Sequence, residues 1–118
     1  MLNRIVIYTK KTPDMVTFYC DHFGFDVLQI EGDRITELVP RKGGARIMLH
    51  AAAKSQKMGQ ALVKLGFEVD DVLAKRDQLM QAGLTVGSVH DGGGYIYANL
   101  KDPSGNSVMI TNRHLVTS

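Results

Sequence analysis

Two segments of this chain carry nearly the same strand-like sequence, and this repeat limits the fold more than any other feature. Residues 44–49 read GARIML and residues 105–110 read GNSVMI, so Met48 and Met109 each stand four positions after a glycine. Each segment follows a turn that is rich in glycine or contains proline. The second half of the chain therefore repeats the first, and we expect two similar modules whose equivalent positions can be compared.

The composition restricts the class of protein. With 118 residues, of which 44% are hydrophobic, we expect a single domain over residues 1–118 that buries a core without disulfides. The net charge of +2 comes from scattered basic residues, which argues against a nucleic-acid partner. The single Cys20 excludes an internal disulfide. Because no long apolar run and no secretory signal are visible, we expect no membrane partner and a cytoplasmic location.

The first half of the chain indicates the element order βαβββ. Thr12 is a typical N-cap, Pro13 fits a first helical turn and Gly24 is a typical stop, so we expect a helix between them. The apolar stripe that this helix would bury consists of Val16, Tyr19, Cys20 and Phe23. The predicted strands cover residues 4–9, 25–30, 35–39 and 45–50.

The same order follows a polar, alanine-rich connector over residues 51–60. A strand over 61–69 leads into a helix that begins at Asp70 and Asp71 and ends at Gly83. Its apolar residues are Val72, Leu79 and Met80, and the later strands cover residues 85–90, 95–100 and 107–111. We therefore assign module one to residues 1–50, module two to residues 61–112 and a polar tail to residues 113–118.

Alternation along the strands assigns a role to each face of the predicted sheets. Ile47 and Leu49 are apolar and should pack under the helix. Their neighbours Arg46, Met48 and His50 then point to the other side. The same rule places Arg4, Lys64, Glu68 and Met109 on that second side. Two helices cannot cover both faces of eight strands, so the second side stays open, and its mixed polar lining favours a small-molecule pocket.

Several short motifs are spread over both halves of the chain. They are TFY at 17–19, FGF at 23–25, FEVDD at 67–71, AG at 82–83 and LKDPSGN at 100–106. Together with the paired βαβββ order, they resemble the vicinal oxygen chelate superfamily, which includes glyoxalase I, fosfomycin resistance proteins, extradiol dioxygenases and bleomycin resistance proteins. The resemblance implies an α+β fold in which two βαβββ modules form a cupped mixed sheet around a ligand cavity. It also implies a homodimer.

The resemblance further implies where a divalent metal would be held. The family's ligands are His or Gln on the first strand and Glu on the last strand of each module, and these positions match Arg4, Met48, Lys64 and Met109. Arginine and lysine are cationic and would repel a metal ion, and methionine suits soft Cu(I) rather than the metals of this chemistry. We therefore expect no metal and no cofactor, and we incline toward a protein that is not an enzyme.

Several polar residues allow two interpretations. Arg4 and Lys64 suit an anionic ligand such as a carboxylate or phosphate, or they form internal ion pairs with Glu37 or Glu68. His50 and Glu68 belong either to a polar pocket or to a displaced metal site. Such a displaced site could draw on His50, Glu68, Glu37, His90 and Tyr97.

Three functional hypotheses follow from these residues. The favoured one is a metal-free small-molecule binding protein of the glyoxalase/bleomycin resistance type, a homodimer that sequesters a drug or metabolite. The alternative is a metal-dependent lyase or dioxygenase with displaced metal ligands, and a third is a structural or regulatory module with a vestigial cavity. We expect no catalytic residue and an anionic or planar small-molecule ligand. The ligand-binding residues would be Arg4, Met48, His50, Lys64, Glu68, Tyr95, Tyr97 and Met109, although the methionines and tyrosines also suit a packed core.

Overall fold

A computed structural model describes residues 1–116 of the chain. Residues 117 and 118, at the end of the predicted tail, lie outside the described residues. The contacts within the chain divide it after Met58 into two units, the second of which begins at Gly59. The single domain and module boundaries drawn from the sequence remain predictions.

The two units have the same element order. In the first, strand β1 (Arg4–Thr9) is followed by helix α1 (Thr12–Phe23) and strands β2 (Phe25–Gln29), β3 (Thr36–Pro40) and β4 (Arg46–Ala51). In the second, β5 (Lys64–Glu68) is followed by α2 (Val72–Gln81), β6 (His90–Asp91), β7 (Ile96–Lys101) and β8 (Ser107–Thr111). A short 3₁₀ helix over Arg113–Leu115 comes last among the described elements.

Strand pairing is also the same in both units. The first sheet has the order β1-β4-β3-β2 and the second has the order β5-β8-β7-β6. In each sheet the first and last strands of the unit pair in parallel, while the remaining neighbours are antiparallel. The predicted α+β fold, built from two βαβββ modules with mixed sheets, is thereby confirmed.

Each sheet buries the face that the alternation predicted. Ile47 and Leu49 of β4 are buried, as are Val108 and Ile110 of β8. Leu38 on β3 pairs with Ile47, so the buried side chains form a continuous layer on the helix side of the first sheet. A slip of one residue in either parallel pairing would expose this layer, so the apolar pattern fixes the register.

Helix α1 ends as predicted but begins and packs differently. Gly24 adopts the left-handed conformation, with φ 73°, and its amide hydrogen-bonds to the carbonyl of Tyr19. The N-cap is Lys11 rather than the predicted Thr12, which lies inside the helix. The fully buried stripe consists of Met15, Phe18 and Tyr19. This stripe has the expected helical spacing but is rotated from the predicted one, because residues 15–23 offer apolar side chains in two adjacent rows.

Helix α2 begins at the acidic pair seen in the sequence. Asp71 is the N-cap, and its side chain accepts a 3.0 Å hydrogen bond from the amide of Ala74. Of the three apolar residues noted in this helix, Val72 and Leu79 are buried and Met80 is exposed. No helix in residues 1–116 is long and apolar enough to cross a membrane.

Two of the predicted strands in the second unit are shorter in the structure. β5 begins at Lys64 rather than residue 61, and Leu62 and Val63 before it are exposed. The strand predicted over 85–90 reduces to His90–Asp91. Before it, Gly87 donates one backbone hydrogen bond to the Asn99 carbonyl, and Arg76 donates a side-chain hydrogen bond to the Gly87 carbonyl. The side chain of Arg76 therefore takes a backbone acceptor that a regular strand would use in its ladder.

The turn before β8 is organised by a buried carboxylate. Asp102 Oδ1 accepts hydrogen bonds from the amides of Ser104 and Asn106, at 2.9 and 3.0 Å. Its Oδ2 accepts a 2.9 Å hydrogen bond from Asn106 Nδ2. Gly105 completes the turn with φ 84°, a conformation that other residues rarely adopt. The carboxylate thus fixes the point at which β8 enters the sheet.

We expect Asp102→Ala to lower the free energy of unfolding by about 2–4 kcal/mol, because it removes three hydrogen bonds to a buried charge and leaves their donors unsatisfied. Asp26→Ala is the matched control, since the Asp26 carboxylate is exposed and its ion pair with Arg41 should contribute at most about 1 kcal/mol. Urea unfolding monitored by circular dichroism measures both. Equal losses in the two variants would contradict this account of the turn.

The sequence predicted a buried side chain for Cys20 on α1, whereas in the structure it is half-buried. Burial is the main cause that raises the pKa of its thiol, and the nearby Asp21 and Asp26 carboxylates act in the same direction, while Arg41 acts against them. A raised pKa means less thiolate at any pH below it, and the thiolate is the reactive form. This environment is that of a structural cysteine rather than a nucleophile.

We expect the Cys20 thiol to react several-fold more slowly with Ellman's reagent at pH 8 in the folded protein than in the urea-unfolded chain. The rate for the folded protein should continue to increase at pH values where that of the unfolded chain has levelled off, because the folded pKa is the higher one. Equal rates in both states at pH 8 would show that burial does not suppress the thiolate.

Candidate functional site

Each sheet has an open face, by which we mean the side opposite its helix. On the first open face, the parallel pairing of β1 and β4 sets three pairs of residues side by side. The pairs are Arg4 with Arg46, Val6 with Met48, and Tyr8 with His50. The face therefore changes along the strands from cationic, through apolar, to aromatic.

The cationic end of the first open face contains a shared carboxylate. Glu37, on β3, lies beside Met48, and its Oε2 is 2.6 Å from Arg46 Nη1 and 3.8 Å from Arg4 Nη2. The side chain of Glu37 is only 16% exposed, whereas those of Arg4 and Arg46 are 45% and 38% exposed. Arg4 thus has the internal ion-pair partner foreseen as one alternative. Two guanidinium groups on one carboxylate leave a net charge of about +1 at this end.

The aromatic end of the first open face consists of two tilted rings. The centroids of Tyr8 and His50 are 5.1 Å apart, and half of the Tyr8 surface is exposed. His50 Nδ1 is 2.8 Å from the carbonyl oxygen of Ala51. Because a carbonyl oxygen only accepts, Nδ1 is the donor in this contact, which fixes the ring and leaves Nε2 directed elsewhere.

The second open face is built on the pairing of β5 and β8. Lys64 donates a 2.9 Å hydrogen bond to Oδ1 of Asn99 on β7. Gly66 pairs with Met109, and a Cβ at position 66 would come within 3.0 Å of the Met109 methyl carbon. The glycine therefore provides the space in which the Met109 side chain lies. Glu68, at the far end of β5, is 3.5 Å from Nδ1 of His114.

An aromatic group lies next to the second open face. The ring centroids of Tyr97 and His90 are 5.3 Å apart, and those of Tyr95 and Tyr97 are 6.3 Å apart. The guanidinium carbon of Arg113 lies 4.6 Å from the Tyr95 centroid, a cation–π distance. Gly92 allows this arrangement, because a Cβ there would be 2.3 Å from the Tyr95 ring. Gly92, the first of the three consecutive glycines at residues 92–94, thus leaves the space that the Tyr95 ring occupies.

The structure divides the predicted ligand-binding residues between the two units. Arg4, Met48 and His50 lie together on the first open face, where each has an in-register partner on the neighbouring strand. Lys64, Glu68, Tyr97 and Met109 lie on the second, and Tyr95 stands directly before β7. The roles of these residues in ligand binding remain a prediction.

Further polar residues on these faces were not among the predicted ligand-binding residues. Alternation had placed Arg46 correctly, and Glu37 had been named as a possible ion-pair partner of Arg4, but the contact of Glu37 with Arg46 depends on strand order, which the sequence order conceals. Asn99 could have been found, since it is two residues from Tyr97 and therefore on the same face of β7. The position of Arg113 over Tyr95 has no periodic signal, because the 3₁₀ helix follows the last strand.

The residues present do not fit the divalent metal that the resemblance implies. Arg4 and Lys64, at the positions of the family's first-strand ligands, are cationic donors that contact Glu37 and Asn99. Met48 and Met109, at the last-strand positions, offer only thioether sulfur. Within residues 1–116, no three His, Cys, Asp or Glu side chains form a group suited to hold a metal ion. His114 contacts two carboxylates through its two different nitrogens, an arrangement that does not converge on one ion.

Comparison with known proteins gives the fold and the family. An antibiotic-binding protein from Streptomyces sp. CB03234, TnmS3, superposes with a TM-score of 0.78 at 20% identity, over 93% of each chain. A glyoxalase/bleomycin resistance protein from the same organism has a TM-score of 0.72 at 20% identity, over 93% of this chain and 98% of its own. A member of the glyoxalase/bleomycin resistance protein/dioxygenase superfamily from Sphaerobacter thermophilus DSM 20745 has a TM-score of 0.75 at 16% identity, over 94% of this chain and 95% of its own. At these identities the similarity shows the fold alone.

The family, unlike the fold, follows from comparison of the sequence itself. No functionally curated protein matches the chain significantly. One family model matches residues 1–110, which include both helices and all of the strands except the last residue of β8. The chain therefore belongs to the glyoxalase/bleomycin resistance protein/dioxygenase superfamily.

Proposed function

We propose that this protein is a metal-free small-molecule binding protein of the glyoxalase/bleomycin resistance type, which sequesters or carries a drug or metabolite. One observation carries the proposal: in both units, the positions of the family's metal ligands hold a cation and a methionine. These side chains suit the binding of a ligand through charge and apolar contact, and they offer no site for Lewis-acid chemistry. The proposal is therefore binding without catalysis.

The open faces support this proposal by the chemistry that they combine. Met48 and Met109 supply adaptable apolar surface, and Tyr95 and Tyr97 supply planar surface with a polar edge. The polar residues that would orient the ligand are Arg4, His50, Lys64 and Glu68. The described antibiotic-binding role of TnmS3, a protein of the same fold, is consistent with such a function.

A thermal-shift screen of small molecules, with and without prior dialysis against EDTA, tests the proposed function. We expect at least one compound to raise the melting temperature by several degrees, because a ligand at 100 times its Kd adds about 2.7 kcal/mol to stability. The shift should survive EDTA. Met48→Ala should reduce it, whereas Met80→Ala, which truncates an exposed methionine on α2, should not.

Metal analysis of the purified protein provides the opposing outcome. Stoichiometric Ni, Zn, Fe or Mn that is required for ligand binding, and that is lost in His50→Ala, would contradict the proposed function. It would favour a metal-dependent enzyme with displaced ligands instead.

We also propose that the protein is a homodimer located in the cytoplasm. The dimer follows from the family resemblance and is supported by apolar surface at the edge strand β2, where Val27 and the following Ile30 are about half exposed. The cytoplasmic location is supported by the free Cys20, which has no disulfide partner in this chain.

Light scattering coupled to size-exclusion chromatography should give twice the mass of one chain at micromolar concentration. Val27→Lys should shift the protein toward monomer, because it places a charge on this apolar surface, whereas Leu73→Lys on exposed α2 should leave the mass unchanged. A monomer at all concentrations would exclude the proposed dimer.

A further inference from the structure

We infer that the first open face binds an elongated aromatic carboxylate, with its carboxylate at Arg4 and Arg46 and its ring at Tyr8 and His50. The inference rests on the proposed function and specifies its ligand class. It depends on one feature of the sheet, which is that β1 and β4 carry their cationic and aromatic side chains at opposite ends of the same face.

The cationic end has the charge and the donors to accept one carboxylate. The two guanidinium groups together carry ten N–H donors by their chemistry. Arg46 donates one hydrogen bond to Glu37, and Arg4 donates one to the Asn3 side chain. Arg46 makes the closer contact to Glu37, at 2.6 Å, while Arg4 lies 3.8 Å away and is the more exposed of the two. Glu37 thus holds the arginines on the sheet and leaves an excess positive charge for a ligand carboxylate.

The aromatic end is suited to a flat ring rather than to a second charge. Tyr8 is 50% exposed and offers a ring surface to solvent. The neighbouring His50 ring is tilted by 50° from it and is tethered through Nδ1 to the Ala51 carbonyl. An incoming ring can pack on Tyr8 and meet the edge of His50, an arrangement that aromatic pairs prefer to full overlap.

The distance between the two ends sets the length of the ligand. Arg4 and Tyr8 are four residues apart on β1, which corresponds to roughly 13 Å between their Cα atoms. Val6, which is 48% exposed, and Met48 form an apolar surface between them. The ligand should therefore be apolar in its middle, so a small anion such as acetate or inorganic phosphate would engage only the cationic end.

The same order recurs independently on the second open face. Lys64 lies at the beginning of β5, Met109 in the middle of β8 and Tyr97 toward the far end of the face. There the cation is already hydrogen-bonded to Asn99, and Glu68 adds a negative charge at the far end. These two differences make the first open face the better site for an anionic aromatic ligand.

A set of matched probes tests the inference by isothermal titration calorimetry. Biphenyl-4-carboxylate has both the charge and the distal ring, biphenyl-4-carboxamide lacks the charge, and hexanoate lacks the ring. We expect the carboxylate to bind about tenfold or more tightly than either of the others, because charge-assisted hydrogen bonds and ring contact act together. Amide NMR shifts on binding should be confined mainly to β1 and β4.

Variants assign the two ends of the ligand separately. Arg4→Gln should weaken biphenyl-4-carboxylate about tenfold and leave the carboxamide unchanged. His50→Leu should weaken both biphenyl probes about three- to tenfold and leave hexanoate unchanged. Arg34→Gln is the matched control, since it removes an exposed arginine outside the strands of the same unit and should change none of the affinities. Arg46→Gln and Tyr8→Leu replace the first two variants should either fail to fold.

The possible results separate the inference from the proposed function. If the carboxamide binds as tightly as the carboxylate, or Arg4→Gln has no more effect than Arg34→Gln, the inferred ligand class is wrong while binding itself stands. If no probe binds but the thermal-shift screen finds another compound, the inference is again wrong and the proposed function survives. Failure of both the probes and the screen would overturn the inference and the proposed function together.

Discussion

The parallel pairing of the first and last strands of each unit is the constraint on which the rest of the structure depends. β1 pairs with β4 and β5 with β8, so the first strand of each unit lies beside the last strand rather than beside the next strand in sequence. This pairing aligns two alternating strands in one register. Ile47, Leu49, Val108 and Ile110 then point toward the helices. The cations and methionines of the same strands, with Tyr8 and His50, point away. The candidate site is the other face of the same arrangement that forms the core.

Much of this could be predicted from the sequence, because the pattern of β4 and β8 is unusually clear. Alternation correctly placed Ile47 and Leu49 inside and left Met48 on the other face. The buried stripe of α1 could not be predicted in the same way, because residues 15–23 carry apolar side chains in two adjacent rows and both rows fit the helical period. The segment over 85–89 resembled a strand in its composition, but a single backbone hydrogen bond from Gly87 replaces the expected ladder. The local sequence pattern cannot reveal that these ladder hydrogen bonds are missing, because the Gly87 carbonyl is occupied by the side chain of Arg76 from helix α2.

The candidate site was predictable residue by residue but not as a set of contacts. Arg4 and Glu37 are far apart in sequence and on strands that are not neighbours, and they meet only because β4 lies between β1 and β3. The sequence could therefore offer an internal partner for Arg4 only as one alternative. Spacing from Tyr97 indicates the face of Asn99, but its contact with Lys64 depends on β8 lying between β5 and β7. The two cations at equivalent positions thus have different partners, since Arg4 lies near a carboxylate and Lys64 donates to a neutral amide.

The closure of each unit by its first and last strands also affects how the chain folds. β1 emerges before the rest of its unit during synthesis, yet its partner β4 follows only after a helix and two further strands. Until then β1 has an unpaired edge and an exposed apolar face. Its pairing with β4 closes a long loop, which costs conformational entropy. The hairpin of β2 and β3 and helix α1 need only local contacts, so they can form while β1 waits. We therefore expect the pairing of the first and last strands to be the last step in the folding of each unit, and the nascent chain to be most prone to aggregation before that step.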